Sequence, residues 1–217
     1  MNTDSSIQHY DVVVIGAGHA GCEAGLAAAR AGCSTLVVTP NLDRIGFMPC
    51  NPSMGGPGKS QILAEIDALG GAMARVADMT TVQARELNTS KGPAVRAIRV
   101  QCDKSLYSLA MKEELERQEN LDILQDEATG LRLDTLSASA PTVTGVELRA
   151  SGPIACDAVI ITAGTFLRAR MISGESSSAG GRAGEHADTR LSGSLADLGL
   201  RLMRFKTGTP MRLDART

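Results

Sequence analysis

The sequence has very few aromatic residues: its 217 residues include three Phe, two Tyr and no Trp. This scarcity argues against a self-sufficient platform for single-stranded nucleic acid, because such platforms stack bases on aromatic rings. It also argues against a β-sandwich or a β-barrel, whose strands are rich in aromatic and β-branched side chains. The net charge of −2 likewise does not indicate a generic basic nucleic-acid binder.

Other absences bear on where the protein acts. No run of about 18 apolar residues is present, so no transmembrane helix is predicted. Residues 1–9, MNTDSSIQH, lack the apolar centre of a signal peptide and are expected to form a disordered tail before a domain at 10–217. The five cysteines show no CxxC spacing, which is typical of free thiols in a reducing compartment. We therefore expect a cytoplasmic protein without a metal site, because His9 and His186 form no ligand pattern with the cysteines.

A βαβ unit is predicted at the start of the domain. Residues 11–15, DVVVI, form a continuous apolar run that is typical of a strand buried on both faces. A glycine-rich turn follows, then a helix of small residues at 22–31 with Gly32 as its C-cap, and then a second strand at 35–39. This order predicts an α/β fold with a parallel sheet.

The turn between the first strand and the helix reads GAGHAG and has the spacing of a dinucleotide-binding fingerprint. Gly16 allows the tight turn, Gly18 lets the backbone approach a pyrophosphate, and Gly21 lets the helix pack closely on the sheet. The N-terminus of the helix offers free N–H groups to the phosphates. The predicted cofactor-binding residues of this turn are Gly16, Ala17, Gly18, His19, Ala20 and Gly21.

One piece of the fingerprint is absent. The second strand normally ends near an acidic residue that binds the ribose hydroxyls. Thr39 and Asn41 stand there instead, and a Thr hydroxyl or an Asn amide would replace the carboxylate, which counts against a simple NAD site. Two alternatives stay open: His19 either donates to the cofactor or only fills a variable position, and a glycine-rich turn sometimes binds nothing.

A second loop rich in Gly and Pro, at 41–60, is expected to face the same cofactor. Its segment SMGGPGKS misses the P-loop pattern because Ser53 stands where glycine is required, and prolines interrupt the segment before it. Cys50 lies between Pro49 and Pro52, and Lys59 with nearby helix N–H groups would favour its thiolate. Cys50 is thus the candidate nucleophile, whereas the other cysteines are expected to be small buried hydrophobes.

The rest of the chain mixes helices with a β-rich segment. Helices are predicted at 62–69, ending at Gly70, and at 191–198. A loop is predicted at 173–188 and a last strand at 201–206. Four further strands are predicted at 121–125, 129–136, 142–149 and 154–161.

An amphipathic helix is predicted at 103–118. Its apolar side is expected to carry Leu106, Tyr107, Ala110, Met111 and Leu115.

Several longer motifs resemble those of one family. They are DVVVIGAGHAGCEAGLAAAR, IGFMPCNPSMGGPGKSQI, EIDALGG, LNTSKGPAVRAIRVQCDKSLY, ITAGTFL, GGRAG and LSGSLADLGLRLMRFKTGTPMRLDART, in family order from Tyr10 to Thr217. The chain is similar to the N-terminal part of the FAD-dependent tRNA uridine 5-carboxymethylaminomethyl modification enzymes, also called glucose-inhibited division protein A (MnmG/GidA). The resemblance covers nearly the whole sequence.

The resemblance implies FAD as the dinucleotide and a Rossmann-like, glutathione-reductase-like fold with a β-rich segment and the start of an inserted domain. It also implies that the glycine turn holds the pyrophosphate and that Ala128 meets the adenine end. Further FAD contacts are implied at Ala163, Gly164 and Asp188.

The resemblance also implies an activity, which is to build the 5-carboxymethylaminomethyl group on C5 of the wobble uridine in certain tRNAs. In the family NADH reduces the flavin, a folate donates the one-carbon unit, and an amine such as glycine is added. A GTPase partner (MnmE) and a homodimer of the complete enzyme are implied as well. Cys50 corresponds to one of two cysteines implicated in the family, and thiolate addition at C6 of uracil would make C5 nucleophilic.

Basic residues are the candidates for tRNA contact, because cations neutralise phosphates. Binding of FAD phosphates and ordinary solvated surfaces are the alternatives for the same residues. The candidates are Lys91, Arg96, Arg99, Arg182, Arg204 and Lys206.

Length separates the chain from the family it resembles. Members are much longer, so we expect a fragment or a shortened form that lacks the second implicated cysteine and the C-terminal helical domain. Phe47 also replaces a Gln that is common in the family's loop. Two other functions stay open: an FAD/NAD(P)H-dependent oxidoreductase acting on a small molecule, and a non-catalytic flavin-binding module.

Overall fold

The computed structural model describes residues 8–49, 51–135, 141–182, 184–187 and 190–208, together with Asp214 and Arg216. The strands are β1 (His9–Ile15), β2 (Thr35–Thr39), β3 (Ser53–Gly55), β4 (Thr81–Leu87), β5 (Ala97–Cys102), β6 (Leu121–Gln125), β7 (Ala128–Asp134), β8 (Thr142–Leu148), β9 (Pro153–Ile161), β10 (Arg170–Ser173) and β11 (Ser176–Ala179). The α-helices are α1 (His19–Arg30), α2 (Ser60–Ala68), α3 (Met73–Met79), α4 (Lys104–Arg117) and α5 (Arg190–Asp197).

A six-stranded sheet in the order β6-β2-β1-β9-β8-β7 forms the centre of the fold. Its first four strands run parallel, whereas β8 and β7 are antiparallel. Val13, Val14 and Val37 are fully buried, as expected for strands that are covered on both faces. Ile15 at the end of β1 pairs with Val38 and with Ile161, so the carboxyl ends of three strands meet. The predicted α/β fold with a parallel sheet is confirmed.

Helices α1 and α4 cover one face of this sheet. Gly25 of α1 lets the helix approach β2 closely, because a Cβ there would lie 2.7 Å from Cγ2 of Val37. On α4, Tyr107, Met111 and Leu115 are fully buried, but Leu106 is 54% exposed. The prediction that Leu106 lies on the apolar side was therefore wrong, because that side is narrower than the sequence pattern indicates.

A second, three-stranded sheet in the order β3-β5-β4 lies beside the first. The sequence assigned no strands to this part of the chain, and α3 was not predicted either. Strand β4 is an edge strand whose residues are nearly all exposed. Helix α3 is fixed by a carboxylate from α1, since Glu23 accepts from the backbone N–H groups of Ala72 (2.8 Å) and Met73 (2.6 Å).

Two predictions near the C-terminal end were wrong. The predicted loop at 173–188 contains β11, which pairs with β10 as an antiparallel hairpin. The predicted strand at 201–206 does not form, and the exposed fraction of Phe205 there is 87%. An isolated extended segment finds no neighbouring strand for its backbone hydrogen bonds, and β propensity alone does not hold it in a sheet.

The amino-terminal boundary differs slightly from the prediction, because β1 begins at His9. Residues 1–7 of the predicted tail lie outside the described residues. In the part of the chain that the structure describes, no helix has both the length and the apolar character that a bilayer span requires.

Candidate functional site

A cavity of about 590 Å³ opens at the carboxyl ends of β1, β2 and β9. Strands β2 and β6 lie on one side of β1 and β9 on the other, so the chain changes direction at this point of the sheet. Ligands of open α/β sheets bind at such switch points. The cavity therefore lies where the fold itself favours ligand binding.

The glycine turn forms the floor of the cavity. Gly16 has φ of +102°, a conformation that L side chains rarely adopt. A Cβ at Gly21 would lie 1.8 Å from the carbonyl oxygen of Gly16, so this position accepts only glycine without a backbone shift. Thr162, which follows β9, supports the turn because its hydroxyl donates to the carbonyl oxygens of Ile15 (2.9 Å) and Gly16 (3.0 Å).

The N-terminus of α1 is open toward this cavity. Its N-cap residue is Gly18, no side chain caps it, and the first turn carries no acidic residue. Gly18 lines the cavity, and among the described residues no atom beyond its own chain neighbours lies within 4 Å of the place where its Cβ would be. The missing side chain leaves room for a ligand to approach the backbone, and the free N–H groups with the helix dipole favour an anion. These residues fit the pyrophosphate of a dinucleotide.

Asp126 organises the opposite wall. Its carboxylate accepts from the backbone N–H groups of Glu127 (2.7 Å), Ala150 (3.1 Å) and Ser151 (2.8 Å), and its own N–H donates to the carbonyl oxygen of Thr39 (3.0 Å). Burial alone would raise the pKa of Asp126, but the hydrogen bonds outweigh it and lower that pKa. The side chain is thus a charged acceptor that ties its own loop to the turn between β8 and β9, while its backbone N–H holds that loop against the end of β2.

Three cations surround the ring of Phe47 on the outer wall. The Nζ of Lys104 lies 4.2 Å from the ring centroid, and the Cζ atoms of Arg44 and Arg182 lie 4.4 Å and 5.2 Å from it. Cations are attracted to the face of an aromatic ring. In the sequence, Phe47 was notable only because it stands where the family commonly has Gln. The structure shows that its ring binds three cations beside the cavity.

Arg182 is held by its neighbours rather than extended into solvent. Its Cζ lies 4.8 Å from the centroid of Phe166 as well, and its Nη2 forms an ion pair with Glu185 at 3.0 Å. Glu185 also pairs with Arg44 at 3.7 Å. Arg182 was predicted as a candidate for tRNA contact, but the structure places it half-buried in the wall of the cavity.

His19 stands between this cavity and a second one of about 350 Å³, and both are lined by His19 and Pro49. Burial lowers the pKa of His19, so its imidazole is neutral at pH 7. Its Nε2 atom is buried and has no hydrogen-bond partner within the described residues. Its ring centroid lies 5.5 Å from that of Tyr107.

Three of the four cysteines that the structure describes are buried, as the sequence predicts, but the prediction was wrong for Cys33, which is half-buried in the turn after α1. Cys22, Cys102 and Cys156 are buried free thiols. Burial raises the pKa of Cys22 to about 12 and that of Cys156 to about 11, and it also raises the pKa of Cys102. These thiols are protonated at neutral pH and are poor nucleophiles. Cys50 lies outside the described residues.

The comparisons with known proteins agree on one family. The sequence profile described as Glucose inhibited division protein A matches residues 11–217. The chain belongs to the glucose inhibited division protein A family. A Geobacillus kaustophilus protein named tRNA uridine 5-carboxymethylaminomethyl modification enzyme MnmG is 53% identical over 209 residues, which are 96% of this chain and 32% of the relative. Its namesake from Syntrophomonas wolfei is 51% identical over 208 residues, with the same two shares.

The structure of Aquifex aeolicus GidA is similar at a TM-score of 0.89 and 44% identity, and the match covers 96% of this chain and 34% of that one. The chain thus spans about a third of the length of these GidA-family relatives. The family resemblance and its fold, which the sequence motifs indicated, are confirmed.

The structure brings most of the predicted cofactor residues together. Asp188, like Cys50, lies outside the described residues. Gly21 lies behind the turn, where it packs against Gly16. The predicted residues that line the cavity are Gly16, Ala17, Gly18, His19, Ala20, Thr39, Asn41, Ala128, Ala163 and Gly164.

The other predicted basic residues lie elsewhere. Arg99 is in β5, Lys91 and Arg96 are exposed in the segment between β4 and β5, and Arg204 and Lys206 are exposed in the segment after α5. Sequence reasoning missed Thr162 and Asp126, although each directly follows a predicted strand, which is the signal that could have found them. It also missed Arg85, the partner of Arg99 in the β4–β5 pair.

Proposed function

We propose that this GidA-family chain binds FAD in the cavity at the ends of β1, β2 and β9. The observation that carries the proposal is the uncapped N-terminus of α1 behind a glycine turn whose Gly18 leaves open space toward the cavity. The turn and α1 would hold the pyrophosphate. Thr39, Asn41 and Ala128 would line the adenosine end, and Ala163 and Gly164 would contribute backbone contacts.

The bound flavin would supply two-electron redox chemistry. The residues of the chain would bind and orient the flavin. The floor of the cavity is rigid at Gly16 because the Thr162 hydroxyl fixes the Gly16 carbonyl oxygen. The opposite wall is held at Asp126 by three backbone N–H donors. His19 is neutral, and its Nε2 has no partner among the described residues, so this atom would donate to the ligand or accept from it.

We further propose that this chain, which matches about a third of the length of its relatives, acts in modification of the wobble uridine of tRNA in the cytoplasm. The support is the 51–53% identity to proteins named tRNA uridine 5-carboxymethylaminomethyl modification enzyme MnmG. NADH as reductant, a folate as one-carbon donor, MnmE as partner and a homodimer belong to this proposal.

Flavin binding is the direct test of the cavity. We expect the purified chain to bind FAD and to quench its fluorescence, as measured by titration in oxidising buffer and by absorbance after gel filtration. A chain that folds, judged by circular dichroism, but binds no flavin under oxidising or reducing conditions would contradict the proposal.

Cys50 is the proposed nucleophile toward C6 of uracil, which leaves C5 able to attack an electrophilic one-carbon unit. We expect Cys50→Ser in the complete enzyme to reduce tRNA modification by a factor of about 100 or more while leaving flavin binding unchanged. Cys33→Ser serves as the matched control, since Cys33 is a half-buried free thiol in the turn after α1. Unchanged modification by Cys50→Ser would remove this role.

A further inference from the structure

Two arginines stand directly opposite each other in the second sheet. Arg85 of β4 pairs with Arg99 of β5 in an antiparallel register that is regular from Gln83 to Leu87. Side chains of directly paired residues point to the same face with Cβ atoms about 4.5–5.5 Å apart, and like charges in such pairs are destabilising. The stability of the fold therefore does not explain why two arginines stand at these positions, and a role in binding would explain it.

The face that carries this pair has no carboxylate at any paired position. Arg99 is also paired with Gly55 of β3, and the neighbouring row holds Gln101 with Gln83 and Ser53. The nearest acid of β4 in sequence, Glu86, pairs with Ile98 and so points to the other face. The face offers guanidinium and amide N–H donors beside one hydroxyl, a composition that suits an anion.

Within the described parts of the chain, the two charges have no neutralising partner. Among the described residues, no ion pair joins Arg85 or Arg99 to a carboxylate, although ten ion pairs form elsewhere. The polar contact of Arg99 that the structure shows is a long one, from Nη2 to the Ser53 hydroxyl at 3.4 Å. Arg85 is exposed and Arg99 is half-buried, so a ligand can reach both.

The charge continues along the segment that joins the two strands. Lys91 and Arg96 are exposed there, and residues 88–101 include no acidic side chain. Residues 81–102 also contain no aromatic side chain, so the surface has nothing on which a base could stack. An extended row of cations without aromatic rings fits the backbone of a polyanion rather than its bases.

We propose that Arg85 and Arg99 form a phosphate-binding site on the β3-β5-β4 sheet and that its occupant is the phosphodiester backbone of an RNA, continued by Lys91 and Arg96. This proposal rests on the tRNA function proposed above, and it names the surface of the chain that would contact the RNA. Arg182, held in the cavity wall by Glu185 and two Phe rings, is not part of this surface.

The test measures binding of a fluorescein-labelled RNA stem-loop to the full 217-residue chain across a KCl series, by fluorescence anisotropy. We expect Arg85→Gln and Arg99→Gln each to weaken binding about fivefold to tenfold at low salt and to make the slope of log K against log [KCl] shallower by about 0.7. The matched control is Arg117→Gln, which removes one positive charge from the end of α4. It should leave the affinity and the slope at the parent values.

Thermal melting without ligand separates a binding role from a structural one. Arg85→Gln should melt no lower than the parent, because the like-charge opposition is gone, and it should lose the rise in melting temperature that the RNA gives the parent. Parental affinity and slope in both variants would overturn the proposal. So would equal binding of inorganic pyrophosphate, which would assign the site to a small phosphate ligand. FAD titration of the same samples tells failure of this surface apart from failure of the flavin site.

Discussion

Replacing Gly21 by alanine is expected to lower the free energy of unfolding by about 3 kcal/mol and to abolish FAD binding. The Cβ of alanine would lie 1.8 Å from the carbonyl oxygen of Gly16 and 2.7 Å from the Thr162 hydroxyl. The oxygen of Gly16 cannot rotate away as a side chain can, so α1 would have to move off the sheet. Urea denaturation measures the first effect, and flavin fluorescence titration measures the second.

The matched control for Gly21→Ala is Gly18→Ala in the same turn. Gly18 has φ of −70°, which alanine adopts without strain, and its Cβ position has no described atom within 4 Å apart from those of its chain neighbours. Stability should therefore stay within about 0.5 kcal/mol of the parent. FAD affinity should fall at least about tenfold, because the new methyl group occupies the space through which the pyrophosphate approaches. Equal stability of Gly21→Ala and Gly18→Ala would contradict the close contact at Gly21.

Asp126→Ala is expected to lower the free energy of unfolding by about 2 kcal/mol, because it removes the shared acceptor of the N–H groups of Glu127, Ala150 and Ser151, and these hydrogen bonds are partly buried. Asp126 itself is only 7% exposed, so its carboxylate depends on these protein donors rather than on water. Asp126→Asn should recover part of the loss, since an amide oxygen still accepts. The control is Asp67→Ala on the exposed side of α2, which should change little.

The pH dependence of the same variant follows from the lowered pKa of Asp126. A carboxyl group whose pKa is lowered by folding stabilises the native state fully above its ordinary pKa, and the stabilisation is lost as the pH falls through the folded value. The difference in unfolding free energy between the parent and Asp126→Asn should thus be constant between about pH 5 and 7 and should shrink below about pH 4. A constant difference down to about pH 2 would contradict the shifted pKa.

The sequence was most informative where function depends on local backbone chemistry. The turn from Gly16 to Gly21 could be predicted because each glycine has its own steric reason, and those reasons act within a few residues. Strand β2 and the existence of helix α4 were also predictable, since β2 is buried throughout and the apolar residues Tyr107, Met111 and Leu115 of α4 are buried as expected. The start of α4 also follows from a local cap, because the Asp103 carboxylate accepts from the N–H groups of Ser105 and Leu106.

Features that depend on distant pairing could not be predicted. Thr162 supports the glycine turn only because β9 pairs with β1, and no local pattern reports which strand lies beside which. The opposition of Arg85 and Arg99 likewise depends on the register between β4 and β5. The exposure of Leu106 depends on which side of α4 packs against α1 and β6. The apolar spacing within α4 does not by itself define that side.

The hydrogen bonds from Thr162 to Ile15 and Gly16 join residues that are 147 and 146 positions apart. A chain emerging from a ribosome makes α1 and β2 early, but the floor of the cavity is not supported until β9 has been synthesised and has inserted beside β1. We therefore expect loading of the proposed cofactor during synthesis to wait for residue 162. A nascent chain stalled before β9 should not retain flavin, although its glycine turn is complete.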